Sequence, residues 1–179
     1  MNIIICSDIH DHIPNLKTML DQLPEAEELI CCGDLCSPFV LGLIARNFLG
    51  KIHLVFGNND GDLFRISQTA AKFDHVFLHG EVMEIEKEGK KILANHFPEI
   101  SRPIAESGKY DLVCYGHNHT FQIEQLSATW YVNPGTVMGY TPGTDQFIQA
   151  TFALYDTQSH QIQAFEIVEQ EVRPLLSIF

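Results

Sequence analysis

The stretch LVCYGHNH, residues 112–119, shows an arrangement that recurs along the chain. Its first half is an apolar run typical of a short buried strand, and Gly116 ends that run. His117 and His119 follow with one residue between them, so in a loop both rings can reach one small volume. Two neutral imidazoles that converge on a point are good ligands for zinc, manganese, iron or nickel. For this pair alone, two ordinary surface histidines are an equally good interpretation.

Four other apolar runs also end in side chains that bind metals. These side chains are Asp8 and His10 after Ile3–Cys6, Asp34 after Leu29–Cys32, Asn58 after Ile52–Phe56, and His96 after Lys91–Ala94. Strands of one α/β domain that run in the same direction bring their terminal loops to one edge of the sheet. Together with His117 and His119, the donors number seven, which is too many for one zinc-like ion. They suit two ions that a bridging carboxylate holds about 3.5–4 Å apart.

Single residues of this set also have structural interpretations. An aspartate after the first strand can cap the following helix, and Asp11 is placed to do so. The segment from Gly57 to Gly61 is strong turn chemistry. The recurrence over five loops favours the metal site over these separate explanations.

The order of the predicted elements indicates an α/β fold in one domain, residues 1–179. Strands alternate with helices at first, and from residue 75 onward the pattern changes to runs of strands. The predicted helices follow Pro14 (apolar face Leu16, Met19, Leu20 and Leu23), start at Ser37-Pro38 (face Phe39, Val40, Leu43, Ile44 and Phe48), and cover Asp62–Lys72 and Ser101–Gly108. A last hairpin is predicted from Phe147–Tyr155 and Gln161–Ile167, and the apolar tail Arg173–Phe179 either packs on the body or contacts a partner.

The composition limits the classes of partner. A net charge of −12 argues against a protein that binds a nucleic-acid polymer, because lysine and arginine supply that affinity. It is compatible with a small phosphate substrate where bound cations supply positive charge locally. No apolar run approaches the roughly 20 residues that span a bilayer, and no membrane partner is expected. The apolar end of the chain allows a homodimer.

The first residues and the cysteines predict a cytoplasmic protein. The N-terminal apolar run is too short for a signal peptide and has no basic segment before it. The chain has five cysteines without CxxC spacing, and Cys6, Cys31, Cys32 and Cys114 lie in apolar strand-like runs. We expect these four to be reduced core residues, with a vicinal redox pair at Cys31-Cys32 as the less favoured alternative.

The loop motifs, taken in order, resemble those of the calcineurin-like metallophosphoesterase superfamily. The matching motifs are Asp8-x-His10, Gly33-Asp34, Gly57-Asn58-x-Asp60, His96, Gly116-His117-x-His119 and Asn133-Pro134-Gly135. The short chain and the Gly-Asn-x-Asp form are most similar to the small bacterial and archaeal phosphodiesterase branch, to which the retromer subunit Vps29 is related. The resemblance implies an α+β sandwich in which two mixed β-sheets pack face to face and are flanked by helices.

The resemblance also implies a set of ligands and a reaction. Asp8, His10 and His119 would hold a first metal, Asn58, His96 and His117 a second, and Asp34 would bridge them. Two divalent metal ions, manganese first and iron, nickel or zinc as alternatives, would clamp phosphate oxygens and provide a bridging hydroxide that attacks phosphorus. The Asn133–Gly135 segment would shape the loop beside the site.

Two positions depart from the family pattern. Many members carry a histidine where this chain has Asn59, which can contact a substrate phosphate but cannot act as a general acid. Phe97 stands where a small residue usually follows the metal-binding histidine, and it would either narrow the pocket or offer a surface to a nucleobase or aromatic group.

Two functions remain after this comparison. The first is a di-metal phosphoesterase that acts on a small phosphoester, with a diester favoured over a monoester and a nucleotide-like compound as one candidate substrate. The alternative is a catalytically weak or inactive metal-binding scaffold of the Vps29 kind. The complete ligand set favours the enzyme, whereas Asn59 and the apolar tail favour the scaffold.

Overall fold

The computed structural model describes residues 1–141, 143–144 and 146–175, which form twelve strands and four helices. In chain order these are β1 (Asn2–Cys6), α1 (Ile13–Asp21), β2 (Glu28–Cys31), α2 (Pro38–Asn47), β3 (Lys51–Leu54), α3 (Leu63–Ala70), β4 (Val76–Leu78), β5 (Val82–Lys87), β6 (Lys90–Asn95), α4 (Pro98–Glu106), β7 (Leu112–Cys114), β8 (Gln122–Leu126), β9 (Thr129–Asn133), β10 (Ala150–Asp156), β11 (Gln161–Val168) and β12 (Glu171–Pro174).

The strands form two mixed sheets. One has seven strands in the order β12-β11-β10-β1-β2-β3-β4, and the other has five in the order β5-β6-β7-β9-β8. Strands β1 to β4 are mutually parallel, and so are β6, β7 and β9. The loops that follow β1, β2 and β3 therefore leave one edge of the first sheet together, as the sequence predicted.

Side-chain alternation along the central strand builds two separate cores. Ile4 and Cys6 face a cluster that includes the apolar faces of α1, α2 and α3. Ile3 and Ile5 face the other way, into the core between the two sheets. A third cluster packs α4 on the outer side of the five-stranded sheet. The predicted fold class, two face-to-face mixed sheets flanked by helices, is confirmed.

Three details of the helices differ from the predictions. His12, not Asp11, caps α1, since its Nδ1 atom accepts the Asn15 N–H at 3.3 Å, and Asp11 accepts the Ser37 hydroxyl instead. Phe39, predicted on the buried face of α2, is 57% exposed, and the buried residues of this helix are Val40, Leu41, Gly42, Ile44 and Ala45. Helix α4 begins at Pro98, three residues before the predicted start, because proline suits the first turn.

The C-terminal strands also differ from the predictions. The hairpin strand β10 begins at Ala150 instead of Phe147, which forms only an isolated bridge to Tyr140. The hairpin is followed by a further strand, β12, which pairs with the edge of β11. Leu175 packs against the core between the sheets, as one predicted alternative for the tail had it, and 176–179 lie outside the described residues.

Two further predictions concern cysteines and membranes. The five cysteines are free thiols, and Cys6, Cys31, Cys32 and Cys114 are buried, as predicted for reduced core residues. Among the described residues, no helix has both the length and the apolarity needed to cross a membrane.

Candidate metal centre

The structure gathers the predicted ligands at one edge of the sandwich, where a first cluster consists of Asp8, His10 and His119. The Nε2 atom of His119 lies 3.3 Å from Asp8 Oδ1, and the Nε2 atom of His10 lies 3.7 Å from the same oxygen. Asp8 is completely buried. The ligand atoms of these three side chains lie within 4.8 Å of one another, which is close enough to hold one cation.

A second cluster adjoins the first and shares Asp8. It consists of Asp8, Asp34 and His96, and the Nε2 atom of His96 lies 3.3 Å from Asp34 Oδ2. The other ring nitrogen of His96 donates to the Cys32 carbonyl at 2.7 Å, which fixes the ring. Its Nε2 atom is buried and makes no hydrogen bond. A buried ring nitrogen without a partner, next to a carboxylate, fits a metal ligand.

The two remaining predicted ligands face each other. The ring nitrogen Nδ1 of His117 lies 2.8 Å from the amide oxygen of Asn58, and both side chains reach solvent. His117 belongs to neither cluster, although its ring centroid is 5.2 Å from that of His96. The structure thus places Asn58 and His117 beside the second cluster but in neither cluster. Asp8 belongs to both clusters.

The electrostatics of the clusters favour positive charge. Burial opposes ionisation of Asp8, but hydrogen bonds from His10 and His119 outweigh it and hold the pKa of Asp8 well below its usual range. Burial likewise disfavours charged His96 and His119, yet the neighbouring carboxylates raise the pKa of both rings above the usual value. A cation between the carboxylates and the rings would take the place of these protons.

Asn59 contacts the carboxylate that was predicted to bridge the metals. Its backbone N–H donates to Asp34 Oδ1 and its side-chain amide donates to Asp34 Oδ2, both at 2.8 Å. Burial opposes ionisation of Asp34. The His96 ring and these two bonds from Asn59 outweigh burial and lower the pKa of Asp34. In this position Asn59 orients Asp34, and its predicted contact with a substrate phosphate stays a prediction.

The sequence analysis assigned no role to Asp60, which the structure places under the site. This buried carboxylate accepts three backbone N–H groups, from Asp34 at 3.0 Å and from Cys36 and Gly57 at 2.8 Å. It therefore ties the loop after β2 to the loop after β3. Burial raises the pKa of Asp60 above the usual value, in spite of these three bonds. Its places in the Gly57–Gly61 turn and in the Gly57-Asn58-x-Asp60 motif were the available signals.

Cys36 is a second neighbour of the site that sequence reasoning missed. Its sulfur lies 3.5 Å from His10 Nδ1, the ring nitrogen that does not face Asp8. Burial and the nearby acidic side chains, Asp11 first, raise the pKa of the Cys36 thiol to about 12. The thiol is therefore protonated at neutral pH.

Five of the predicted ligands have left-handed backbone. The φ angles are 53° at Asp8, 42° at His10, 55° at Asp34, 74° at His117 and 57° at His119. Such conformations cost of order 1–3 kcal/mol each in residues other than glycine, and they concentrate at functional sites. The ligand loops thus turn sharply enough for neighbouring residues to point at one volume.

Two glycines permit close approach of the loops to the carboxylates. A Cβ atom at Gly57 would collide with the Asp34 carboxylate, and one at Gly116 would collide with the side chains of Ser7 and Asp8. The glycines that end these strands are therefore required by packing.

The Asn133–Gly135 segment shapes the neighbouring loop, as predicted. The side-chain amide of Asn133 donates to the Gly116 carbonyl at 3.1 Å and to the Asn118 side chain at 2.7 Å. The hydroxyl of Thr136, just beyond, donates to the Asp8 carbonyl at 2.7 Å. These contacts fix the loop of His117, which follows a strand of the five-stranded sheet, and the loop of Asp8, which follows a strand of the seven-stranded sheet.

Phe97 lies directly against two predicted ligands. Its ring centroid is 5.1 Å from that of His96 and 5.1 Å from that of His117. The side chain is half-buried, so one side of the ring borders the opening of the site.

Comparison with known proteins agrees with this geometry. A family model described as the calcineurin-like phosphoesterase superfamily domain matches residues 1–160. Phosphodiesterase MJ0936 of Methanocaldococcus jannaschii is 29% identical over 165 residues, which cover 90% of this chain and 96% of the relative. Vacuolar protein sorting-associated protein 29 of Schizosaccharomyces pombe is 26% identical over 185 residues, covering 97% and 95%. The solved structure of an archaeal phosphodiesterase superimposes with a TM-score of 0.80 at 28% identity, covering 93% of this chain and 99% of the other.

The fold and its clustered ligands define a metal-dependent phosphoesterase. The chain belongs to the calcineurin-like phosphoesterase superfamily. The family and enzyme class predicted from the loop motifs are thereby confirmed.

Proposed function

We propose that this protein hydrolyses small phosphodiesters with two divalent cations held by Asp8, His10, Asp34, Asn58, His96, His117 and His119. The observation that carries the proposal is the buried Nε2 atom of His96, which has no hydrogen-bond partner and lies 3.3 Å from Asp34. The second cluster, to which His96 belongs, adjoins the first through the shared Asp8. Such a pair of clusters suits two cations better than one.

The chain's own residues hold and orient the centre. Asp8 and Asp34 carry the negative charge that balances the cations. The proposed ligand sets are completed by the amide of Asn58 and the rings of His10, His96, His117 and His119. When bound, the cations would neutralise the phosphoryl oxygens and lower the pKa of a water so that hydroxide attacks phosphorus in line. Asn59 donates to the carboxylate of Asp34, and Asp60 accepts the backbone N–H of Asp34. Both contacts fix the position of Asp34. The site thus requires little rearrangement.

The metal proposed is manganese, with iron, nickel and zinc as alternatives. The proposed set mixes carboxylate, amide and imidazole ligands, which suit all four of these metals. No thiolate is included, because Cys36 belongs to neither cluster and its sulfur lies at Nδ1 of His10, 3.5 Å away. The relative from M. jannaschii, a phosphodiesterase by name, supports a diester substrate.

A scaffold of the Vps29 kind is the second candidate. It is supported by the similarity to vacuolar protein sorting-associated protein 29. Exposed apolar side chains also favour it, among them Phe39 at 57% and Phe64 at 71% exposure. Such side chains on a surface are typical of sites that contact other proteins.

Hydrolysis assays separate the two candidates. Bis-p-nitrophenyl phosphate and p-nitrophenyl phosphate are compared with added manganese and with chelator. We expect manganese-dependent turnover with the diester preferred, and loss of turnover in Asp34→Asn. Asp21→Asn, an exposed carboxylate on α1, serves as the control and should keep full activity. No turnover of either ester by protein with bound manganese would reject the enzyme and favour the scaffold.

A further inference from the structure

Two buried polar side-chain atoms have no hydrogen-bond partner among the residues that the structure describes. One is the Nε2 atom of His96, which the proposed function assigns to a cation, and the other is the hydroxyl oxygen of Ser7. Ser7 is completely buried. Buried polar groups in proteins are usually paired, because an unpaired one has lost its hydrogen bonds to water without replacement. The Ser7 hydroxyl therefore needs an explanation beyond the fold.

The backbone around Ser7 fixes where its hydroxyl lies. The Ser7 carbonyl accepts the Val137 N–H at 3.1 Å. The N–H of Asp8, the next residue, donates to the Gly33 carbonyl, also at 3.1 Å. A Cβ atom at Gly116 would lie 2.0 Å from Ser7 Oγ and 2.6 Å from Asp8 Oδ2, so both oxygens face the same side of this glycine. Close packing on Gly116 thus holds the hydroxyl beside the carboxylate.

The donors that now serve the Asp8 carboxylate come from other residues. The Nε2 atoms of His10 and His119 lie 3.7 Å and 3.3 Å from Oδ1. The backbone N–H of His117 donates to Oδ2 at 3.1 Å. Burial opposes ionisation of Asp8, the two rings lower its pKa most, and the Ser7 hydroxyl lowers it less. The hydroxyl is therefore near enough to act on the carboxylate without completing a hydrogen bond.

Binding of a cation would change the donors that Asp8 has. A ring nitrogen that binds a cation carries no proton, so His10 and His119 would no longer donate to the carboxylate. A serine hydroxyl turns to suit a new acceptor, so Ser7 can replace one of these donors. Carboxylates that bind metals are usually held by such outer hydrogen bonds, and loss of one typically costs about 10–100-fold in metal affinity.

We propose that Ser7 is a positioning residue of the metal centre, whose hydroxyl donates a hydrogen bond to the Asp8 carboxylate when that carboxylate holds a cation. The inference rests on the proposed function in one respect only, because it requires a cation at Asp8 but no particular substrate. Ser7 itself contacts neither the cation nor the substrate. Its unpaired hydroxyl costs stability before the cation binds and strengthens binding of the cation.

Ser7→Ala separates this role from a structural one, because the two roles predict opposite effects. Isothermal titration measures manganese affinity, and urea unfolding in chelator measures stability. We expect Ser7→Ala to weaken manganese binding about tenfold or more. The urea midpoint in chelator should stay unchanged or rise, because the variant removes an unpaired buried hydroxyl. Unchanged manganese affinity would overturn the proposal, and so would a lower midpoint in chelator, which would make the hydroxyl part of the fold.

Thr129→Val is the matched control, because it removes another buried hydroxyl and keeps the size of the side chain. Thr129 is completely buried at the start of β9, and its hydroxyl donates to the Tyr110 carbonyl at 2.5 Å. We expect a lower urea midpoint in chelator and unchanged manganese affinity, the reverse of Ser7→Ala. An equal loss of manganese affinity in both variants would overturn the proposal, since any buried hydroxyl would then have the same effect.

Cobalt(II) provides a spectroscopic test of positioning, because its visible absorption bands depend on the geometry of its ligands. We expect the bands of the cobalt-loaded protein to shift in Ser7→Ala and to stay unchanged in Thr129→Val. Identical bands in all three proteins would overturn the proposal.

The titration also separates this inference from the proposed function. If the unmodified protein binds no manganese, both fail. If it binds manganese and Ser7→Ala binds it equally well, the proposed function stands and the role of Ser7 alone is rejected.

Discussion

The Nε2 atoms of His10 and His119 lie 3.1 Å apart, and both point toward Asp8 Oδ1. Two unprotonated ring nitrogens at this distance repel each other unless a proton or a cation lies between them. The buried carboxylate favours either positive charge. This relationship supports the proposal that the first cluster holds a cation through all three side chains.

We expect His119→Ala to lower the affinity for manganese by at least about 100-fold, because loss of a ligand exceeds the effect of losing an outer partner. Isothermal titration with manganese measures the change. His75→Ala is the control, since His75 bonds to the Ala45 carbonyl on α2 and does not belong to the ligand set. Equal affinity in His119→Ala and the unmodified protein would remove His119 from the site.

Asp60→Ala should destabilise the protein and weaken metal binding together. It leaves three backbone N–H groups, one buried and two partly buried, without their acceptor, which predicts a loss of about 3 kcal/mol in the free energy of unfolding. Urea unfolding and manganese titration measure the two effects. Asp62→Ala, which removes the cap of α3, should cost about 1 kcal/mol and leave metal binding unchanged. A similar small cost for Asp60→Ala would contradict its role as a link between the loops.

Gly116→Ala should reduce metal binding through a single added methyl group. The new Cβ atom would collide with Ser7 and Asp8, so the first strand loop must shift away from its position. Gly61→Ala is a close control, because a Cβ atom there meets nothing within 4 Å. If both variants bind manganese equally well, close packing of Gly116 on Asp8 has no importance for the site.

Stability in acid should depend on Glu28, which is buried at the start of β2. Lys87 donates to its carboxylate at 2.7 Å, and His53 Nε2 lies 3.1 Å from its other oxygen. Burial opposes ionisation, but the bonds from His53 and Lys87 lower the pKa of Glu28 below its usual 4.5. A carboxyl whose pKa is lower in the folded state stabilises the protein above the unfolded pKa. This stabilisation is lost as the pH falls through the folded pKa.

Glu28→Gln should therefore make unfolding less sensitive to pH below about 4.5, measured by urea unfolding at pH 3 to 7. Lys87→Met, which leaves the buried carboxylate without its lysine, should cost about 3 kcal/mol at neutral pH. The exposed Glu81→Gln is the control. An unchanged acid profile in Glu28→Gln would show that this buried pair does not govern acid stability.

The leaving group should control the rate, because Asn59 cannot donate a proton as a histidine can. We expect kcat to rise steadily as the pKa of the leaving alcohol falls across a series of aryl diesters. Asn59→His should flatten this dependence if a ring at that position reaches the leaving oxygen. A flat dependence in the unmodified protein would show that another group protonates the leaving oxygen.

The predicted ligands stay a prediction, but five of them, Asp8, His10, Asp34, His96 and His119, lie in the two clusters, and each follows an apolar strand. Asp8 and Asp34 come together because the parallel strands β1 and β2 end at one edge of one sheet, whereas His96 reaches them from β6 of the other sheet through the packing of the two sheets. The role of Asp60 could not be predicted, since a turn residue and a buried acceptor of three N–H groups have the same local sequence. The contact of Cys36 with His10 depends on the left-handed backbone at both residues.

Two predictions about the fold were wrong because they also depended on contacts between distant parts of the chain. The polar strand β12 has no apolar pattern, and pairing with the edge of β11 decides its conformation. Helical periodicity placed Phe39 on the buried face, but periodicity does not show which of the candidate positions the rest of the fold covers. Tertiary context settled both points, and neither affects the metal centre.

The most direct test of the central claim is the rate of bis-p-nitrophenyl phosphate hydrolysis as manganese is titrated into metal-free protein. We predict no turnover in chelator and a rate that reaches its plateau when two manganese ions are bound per chain. Turnover that persists in chelator, or no turnover by protein that holds two manganese ions, would contradict a two-metal phosphodiesterase.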